Sequence, residues 1–189
     1  MPGSLRDVGR DIVALDRSVY TAIAQTPTPT LDVALRRLSD AANNSKLWLG
    51  IAATIAAAGG SQGRRTAALG VTAVGITSAT VTLAGKRLFD RARPDRTGVD
   101  VPLPRQVRMP TSTSFPSGHS ASAFAFANAV AGQWPVAGLP LRALASAVAY
   151  SRVHTGVHYP TDVVIGSLIG AAIGDVVTAM GRRYWTKPL

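Results

Sequence analysis

The sequence predicts an all-α fold: an integral-membrane helical bundle of about five transmembrane helices, preceded by amphipathic helices at the interface. Three observations carry that expectation. Of 189 residues, 47% are hydrophobic and 16% charged, against about 25% charged in ordinary soluble domains. The charges avoid long stretches: 47–63 and 66–85 hold none, 109–141 has His119 as its one titratable side chain, and 163–181 has Asp175. A spanning helix needs about 17–25 mostly apolar residues, and these runs meet or approach that length. The third observation is the first 45 residues, where apolar residues recur at helical spacing with Asp and Arg opposite them. Mean hydropathy is only +0.18 because much of the apolar content is Ala.

In chain order, residues 1–45 read as an amphipathic interfacial segment and 46–185 as a transmembrane core. Ile12-Val13-Ala14-Leu15 and residues 31–38 carry the amphipathic pattern, and Thr26-Pro27-Thr28-Pro29-Thr30 divides it into two pieces. The first span is expected at about 46–60, with Lys46 and Trp48 at the interface. A turn at 59–65 leads to a second span at about 66–85, followed by a polar stretch at 86–115. The third span runs from 116–119 to about 133. Trp134-Pro135 and Gly138-Leu139-Pro140 turn the chain into a short fourth span at about 139–152, and a fifth covers about 160–180. In the fifth, Gly166, Gly170 and Gly174 at every fourth position let a neighbouring backbone approach, within the bundle or between subunits, unless the helix is simply rich in Ala and Gly with no dedicated partner. Asp175 suits helix pairing or snorkelling.

Net charge is +10 and the isoelectric point about 11.2. Many arginines flank the apolar runs or lie in the polar loop, which fits anionic lipid and phosphate. No nucleic-acid-binding signature accompanies them, so a nucleic-acid partner is not expected. There is no Cys, which excludes disulfides and thiolate metal sites, and no secretory signal peptide is expected.

Three short stretches carry the chemistry: Lys86-(six residues)-Arg93-Pro94, Pro116-Ser117-Gly118-His119, and Ser151-Arg152-(five residues)-His158-(three residues)-Asp162. Lys86, Arg93 and Arg152 can stabilise charge on phosphoryl oxygens, Arg as a planar fork and Lys as a point charge. Ser117 and Gly118 stand where a loop enters a helix, a place where backbone amides bind anions. His119 is placed to act as general acid on a leaving alkoxide. His158 and Asp162 are four apart, so the carboxylate can hold one imidazole nitrogen and leave the other to attack; a plain helix start capped by Asp162 is the competing reading. His154 reads as supporting or structural, since three His without a carboxylate cluster make a poor metal site. Arg87, Arg91 and Arg96 read as membrane-edge charges, and Arg105 and Arg108 as part of a headgroup-reading lid or an ordinary loop. The predicted span ends put all three stretches on one membrane face.

This ordered set resembles the type-2 phosphatidic acid phosphatase superfamily, which includes lipid phosphate phosphatases and vanadium haloperoxidases. All three signature blocks are present over 86–162 at matching spacing, and the first 45 residues lie outside them. The runs Ser114-Phe115-Pro116-Ser117-Gly118-His119 and Ser151-Arg152-Val153-His154-Thr155-Gly156-Val157-His158 look actinobacterial in style. The resemblance implies that His158 forms a phosphohistidine, that Asp162 orients it, and that His119 protonates the leaving group and later activates water. It implies that Lys86, Arg93, Ser117, Gly118 and Arg152 hold the phosphate, with no metal and no cofactor. Implied substrates are phosphatidic acid, phosphatidylglycerophosphate, polyprenyl (di)phosphates or decaprenylphosphoryl-pentose phosphate. The departure from the family is the lack of a full sixth span.

The sequence therefore predicts a lipid phosphatase of the plasma membrane whose partners are a lipid phosphate and the bilayer. A vanadate-dependent haloperoxidase and a catalytically silent lipid-phosphate-binding protein are the rival readings. Arg64, Arg65, Arg182, Arg183 and Lys187 lie opposite the site, which by the positive-inside rule faces the extracytoplasmic side.

Overall fold

The computed structural model describes residues 4–85 and 88–185. Among these the chain is helical, with no strand. Helix α1 covers Leu5–Gln25 and α2 Pro29–Ala41. A 3-10 turn at Asn43–Ser45 leads into α3, Lys46–Ala58. Helix α4, Gly60–Thr80, runs on into a π-helical turn at Val81–Gly85. After a long loop with one 3-10 turn at Leu103–Arg105 come α5, Gly118–Ala131, α6, Pro135–His154, and α7, Pro160–Trp185.

The break between α1 and α2 falls at the expected prolines, with Pro29 in the first turn of α2, where a missing N–H costs nothing. The expected turn at Gly138-Leu139-Pro140 is not where the chain reverses. Helix α6 already starts at Pro135 and continues through Pro140. The reversal is complete at Gln133 and Trp134, whose amides both donate to the Val130 carbonyl.

Helix α5 is the centre of the bundle and packs on α4, α6 and α7. Its Ala and Phe126 side chains are almost wholly buried, and small residues are what let three helices surround it. Phe126 meets Trp48 of α3 at 5.5 Å between ring centroids. Helix α7 supplies the closest approach. A Cβ on Gly166, Gly170 or Gly174 would stand 2.5, 2.0 or 2.6 Å from the carbonyl oxygens of Ser117, Ala121 and Ala125. The glycine stripe therefore packs inside the bundle and fixes the register of α7 on α5. Asp175 pairs helices, as one of its two expected roles, by accepting from Asn128 Nδ2 at 3.1 Å.

Among the described residues, two helical stretches, Gly60–Leu83 and Pro160–Arg183, are long and apolar enough to cross a membrane. Helices α3 and α5 have 13 and 14 residues, about 20 Å at 1.5 Å per residue, short of a roughly 30 Å hydrocarbon core. Helix α1 buries Asp16, Tyr20 and Ala24 along one stripe and exposes Val8, Ile12, Leu15 and Val19 along the next. The C-terminal end of α4, the N-termini of α5 and α7 and the C-terminal end of α6 meet at one end of the bundle, where the three sequence stretches come together.

Gly170→Ala forces a methyl group onto a backbone carbonyl that cannot swing away. A loss of about 1–3 kcal/mol is expected, read as a fall of several degrees in the thermal midpoint in detergent. Gly75→Ala in α4, where a Cβ meets nothing within 4 Å, should leave the midpoint unchanged.

Candidate active site

The site is built around two side chains that have almost no solvent. His158 is 3% exposed and Asp162 0%. His158 lies in the turn between α6 and α7, which is closed by its own N–H and that of Val157 donating to the Arg152 carbonyl, each at 3.1 Å. Gly156 takes φ +69° there, a conformation that disfavours a side chain, and a Cβ would stand 3.0 Å from Tyr20 Oη. Asp162 is in the first turn of α7 and accepts the Tyr159 N–H at 2.8 Å. It is thus a helix-start acid as well as the partner of His158. Its Oδ2 stands 3.5 Å from His158 Nδ1 and takes a very short bond from Ser114 Oγ.

On the other side of the imidazole, Arg93 Nη1 is 3.2 Å from His158 Nε2. The guanidinium is held in place by the carbonyls of Ser112, Thr113 and Val157 at 2.9, 3.1 and 2.7 Å. With a carboxylate at Nδ1, the proton belongs there, and Nε2 presents a lone pair towards Arg93. Burial is the main cause that pulls His158 down to about 4, and the Arg93 and Arg152 charges add to it while Asp162 opposes it. The imidazole is neutral at pH 7. Burial also lowers Arg93 from its usual range, with Asp162 opposing.

Ser117 caps α5, and its hydroxyl accepts from Ser120 Oγ at 2.9 Å, which leaves its own proton to give. Its N–H donates to the Asp162 carbonyl at 2.9 Å, tying the start of α5 to the start of α7. The next amides, Gly118 and His119, belong to the first turn of α5, where N–H groups have no partner within the helix. His119 Nε2 lies 2.9 Å from Asn43 Oδ1. An amide oxygen only accepts, so this nitrogen carries a proton. Arg152 is 1% exposed, gives one Nη to Ser39 Oγ in a very short bond, and has a buried Nε with no partner among the described residues. Arg93, His158 and Asp162 are thus in direct contact, and Ser117 and Arg152 join them through the backbone. Lys86 lies outside the described residues.

The profile of the PAP2 superfamily matches residues 66–185. The chain belongs to this superfamily. Its resemblance to decaprenylphosphoryl-5-phosphoribose phosphatase of Mycolicibacterium smegmatis is 36% identity over 159 residues, 84% of this chain and 81% of the relative. The protein of that name from Mycobacterium tuberculosis H37Rv is 40% identical over 97 residues, and that match spans 51% of the relative's length. Among solved structures, a transmembrane PAP2-type phosphatidylglycerolphosphate phosphatase from Bacillus subtilis superposes with TM-score 0.73 at 22% identity, covering 92% of this chain and 87% of that one. Aquifex aeolicus LpxE gives 0.68 at 24%, covering 87% and 95%. At these identities the two structures share the fold.

In this PAP2 chain several site neighbours lie beyond the three motif stretches or were assigned elsewhere. Arg91 and Arg96 are not membrane-edge charges. Arg91 Nη1 donates to Asp162 Oδ1 at 2.8 Å and Nη2 to Asp16 Oδ2 at 2.6 Å. Its guanidinium carbon sits 4.5 Å above the Tyr159 ring. Arg96 donates to the carbonyls of Gly156 and Val107 at 3.2 and 2.7 Å. Both turn inwards because buried carbonyls and carboxylates in the loops need donors. Arg87 lies outside the described residues. Asp16 also accepts the Thr161 N–H at 2.9 Å. The signal for Asp16 was available: it shares one helical stripe with Tyr20 and Ala24, on the buried side of α1. His154 is structural, with Nε2 2.9 Å from Thr28 Oγ1 and 3.3 Å from Asp32 Oδ1.

Asp16→Ala leaves part of Arg91 and the Thr161 amide without an acceptor. A loss of about 1.5–3 kcal/mol is expected, seen in the thermal midpoint, whereas Asp11→Ala on the exposed side of the same helix should be silent. The lowered His158 value carries a second expectation. An unfolded His titrates near 6.5, so between about 4 and 6.5 the unfolded chain binds the extra proton. This contribution to stability is complete above about pH 6.5 and is lost as pH falls towards 4. His158→Gln should flatten that part of the stability-against-pH curve.

Proposed function

We propose that this chain is an integral-membrane lipid phosphatase that removes the terminal phosphomonoester from a polyprenylphosphoryl sugar phosphate, of the kind named by its mycobacterial relatives, decaprenylphosphoryl-5-phosphoribose. The observation that carries the chemistry is the buried imidazole of His158, with Asp162 at Nδ1 and a guanidinium, Arg93, at Nε2. A guanidinium beside that nitrogen would hold an anion against it. The choice of lipid rests on the 36% identity to a relative of which the chain covers 81%.

In this reading His158 Nε2 attacks phosphorus in line with the sugar oxygen. The P–O bond breaks, its electron pair leaves with the sugar oxygen, and His119 gives that oxygen its proton. The product is a phosphohistidine. Water then gives a proton to His119 and attacks the same phosphorus, the P–N bond breaks, and inorganic phosphate leaves with His158 restored. Asp162 keeps the Nδ1 proton in place throughout and balances the charge that develops on the ring. Arg93, Arg152, Lys86, the Ser117 hydroxyl and the amides of Gly118 and His119 stabilise the equatorial oxygens. The unpartnered Nε of Arg152 supports this assignment, since a buried donor left without an acceptor is costly unless substrate provides one. No step needs a metal ion.

The five-span arrangement belongs to the same proposal, in the plasma membrane, with the site facing the extracytoplasmic side. Arg64 and Arg65 at the start of α4, with Arg182 and Arg183 at the end of α7, stand at the opposite end of the bundle. The positive-inside rule makes that end cytoplasmic.

Purified protein should release phosphate from decaprenylphosphoryl-5-phosphoribose faster than from phosphatidic acid or phosphatidylglycerophosphate, and a chelator should leave the rate unchanged. His158→Ala should abolish turnover, and His119→Ala should slow it by about 10²–10⁴-fold. Acid quenching is not suitable for trapping the intermediate. An alkaline quench with labelled lipid should retain label on wild type and not on His158→Ala. Unchanged turnover in that variant would overturn the mechanism.

A further inference from the structure

Two cavities meet at His119. The smaller, about 230 Å³, runs between α4 and α5 along Ser78, Val81, Thr82 and Ser122, and among the described residues no Lys, Arg, Asp or Glu lines it. The larger, about 360 Å³, is lined by Asn43, Asn44, Arg108, Thr111 and Ser112. It adjoins the catalytic centre, since Ser112 also accepts from Arg93 through both its carbonyl and its hydroxyl, at 2.9 and 3.2 Å.

Arg105 and Arg108 of the loop have opposite fates. Arg105 is 0% exposed and fully committed. It donates to Asp32 at 3.0 Å and to the carbonyls of Ile23, Ala24 and Thr26 at 3.0, 3.2 and 3.0 Å. Arg108, three residues on, makes no hydrogen bond or ion pair with any described residue and lines the larger cavity. Its backbone is nevertheless anchored before it by buried Arg105 and by the Val107 carbonyl that Arg96 holds at 2.7 Å, and after it by the Ser112 carbonyl that Arg93 holds at 2.9 Å. The opposite wall is also set. Asn44 and Ser45 take φ of +54° and +59°, a left-handed pair that non-glycine residues adopt at a cost and that recurs at ligand sites. An uncommitted cation on a fixed backbone, facing two amide side chains beside the catalytic centre, is suited to a second anion.

We propose that Arg108, with Asn43 and Asn44, binds the phosphodiester of the lipid, so that the site selects substrates with a second, unhydrolysed phosphate one sugar away from the scissile one. This inference rests on the phosphatase reading above and names what selects its substrate. A phosphodiester keeps one negative charge at all physiological pH values, and a guanidinium fork takes two of its oxygens at once. Arg108 is therefore a specificity residue, since it acts on the part of the substrate that does not react.

The experiment compares steady-state kinetics of the wild-type full chain, Arg108→Gln and Arg108→Lys in detergent. The lipid is decaprenylphosphoryl-5-phosphoribose, and inorganic phosphate, which fills only the catalytic centre, serves as competitive inhibitor. Arg108→Gln should raise KM about tenfold with kcat within about twofold, Arg108→Lys should fall between, and the inhibition constant of inorganic phosphate should not move. An unchanged KM in Arg108→Gln, or an equal weakening of inorganic phosphate, overturns this inference and leaves the phosphatase reading standing. Failure of the wild type to hydrolyse the lipid overturns the substrate reading and this inference together.

Discussion

A carboxylate with no access to water must find its hydrogen bonds in the protein, and most of this site follows from how Asp162 finds them. Its donors come from separate parts of the chain: the Tyr159 amide from its own turn, Ser114 and Arg91 from the long loop, and the His158 imidazole. To deliver them, the loop has to fold back over the start of α7, and the Ser114 amide bonding to the Arg91 carbonyl at 2.8 Å closes that fold. Arg91 then carries more charge than one carboxylate oxygen satisfies. Asp16 of α1 takes the other nitrogen. Removing one member leaves its partner's charge or hydrogen-bonding group unsatisfied, so each link in this chain holds the next one in position.

The same logic recurs one layer out. Asp32 of α2 is buried with Arg105 and His154, and Thr28 bridges all three. This second cluster pins the middle of the loop to the N-terminal helices, as the first pins its two ends to α7. Packing does the remaining work. The glycine stripe of α7 lets the Ser117 carbonyl come close, so that the first turn of α5, with Gly118 and His119, points at the turn that carries His158. Electrostatics sets the loop and close backbone contact sets the helix.

What could be read from the sequence divides along these lines. Helix identities and the three motif stretches were legible, because charge-free runs and short fixed spacings are local properties. The inward packing of Gly166, Gly170 and Gly174 is one of three readings the spacing allows, and only contact with α5 decides it. Arg91 and Arg96 were misassigned because an arginine near an apolar run looks alike whether it faces headgroups or a buried carbonyl. Their partners lie far away in the chain, Asp16 and Asp162 for Arg91 and Gly156 for Arg96. Of the two turn signals between α5 and α6, Trp134-Pro135 marks the reversal and Gly138-Leu139-Pro140 does not: Pro140 is a strong local signal, overridden by a helix that has already begun.

Hydropathy changes at the boundary between residues 45 and 46, but the contacts do not. Asp16 reaches Arg91, Ser39 reaches Arg152 and Asn43 reaches His119, so the amphipathic segment touches every motif stretch whose residues are described in full, and the first through Arg91. Helix α1 does this while presenting Val8, Ile12, Leu15 and Val19 outward on the adjacent stripe. A helix with an exposed apolar stripe is stable in that position only where something apolar covers it, and a lipid surface does so. One face of α1 is therefore apolar and open, and the next holds the carboxylate that steadies Arg91 and, through it, Asp162 and its partner His158. On the proposed lipid-phosphatase reading, the order of the His158–Asp162 pair is linked to the seating of this helix at the membrane, where a lipid substrate has to arrive.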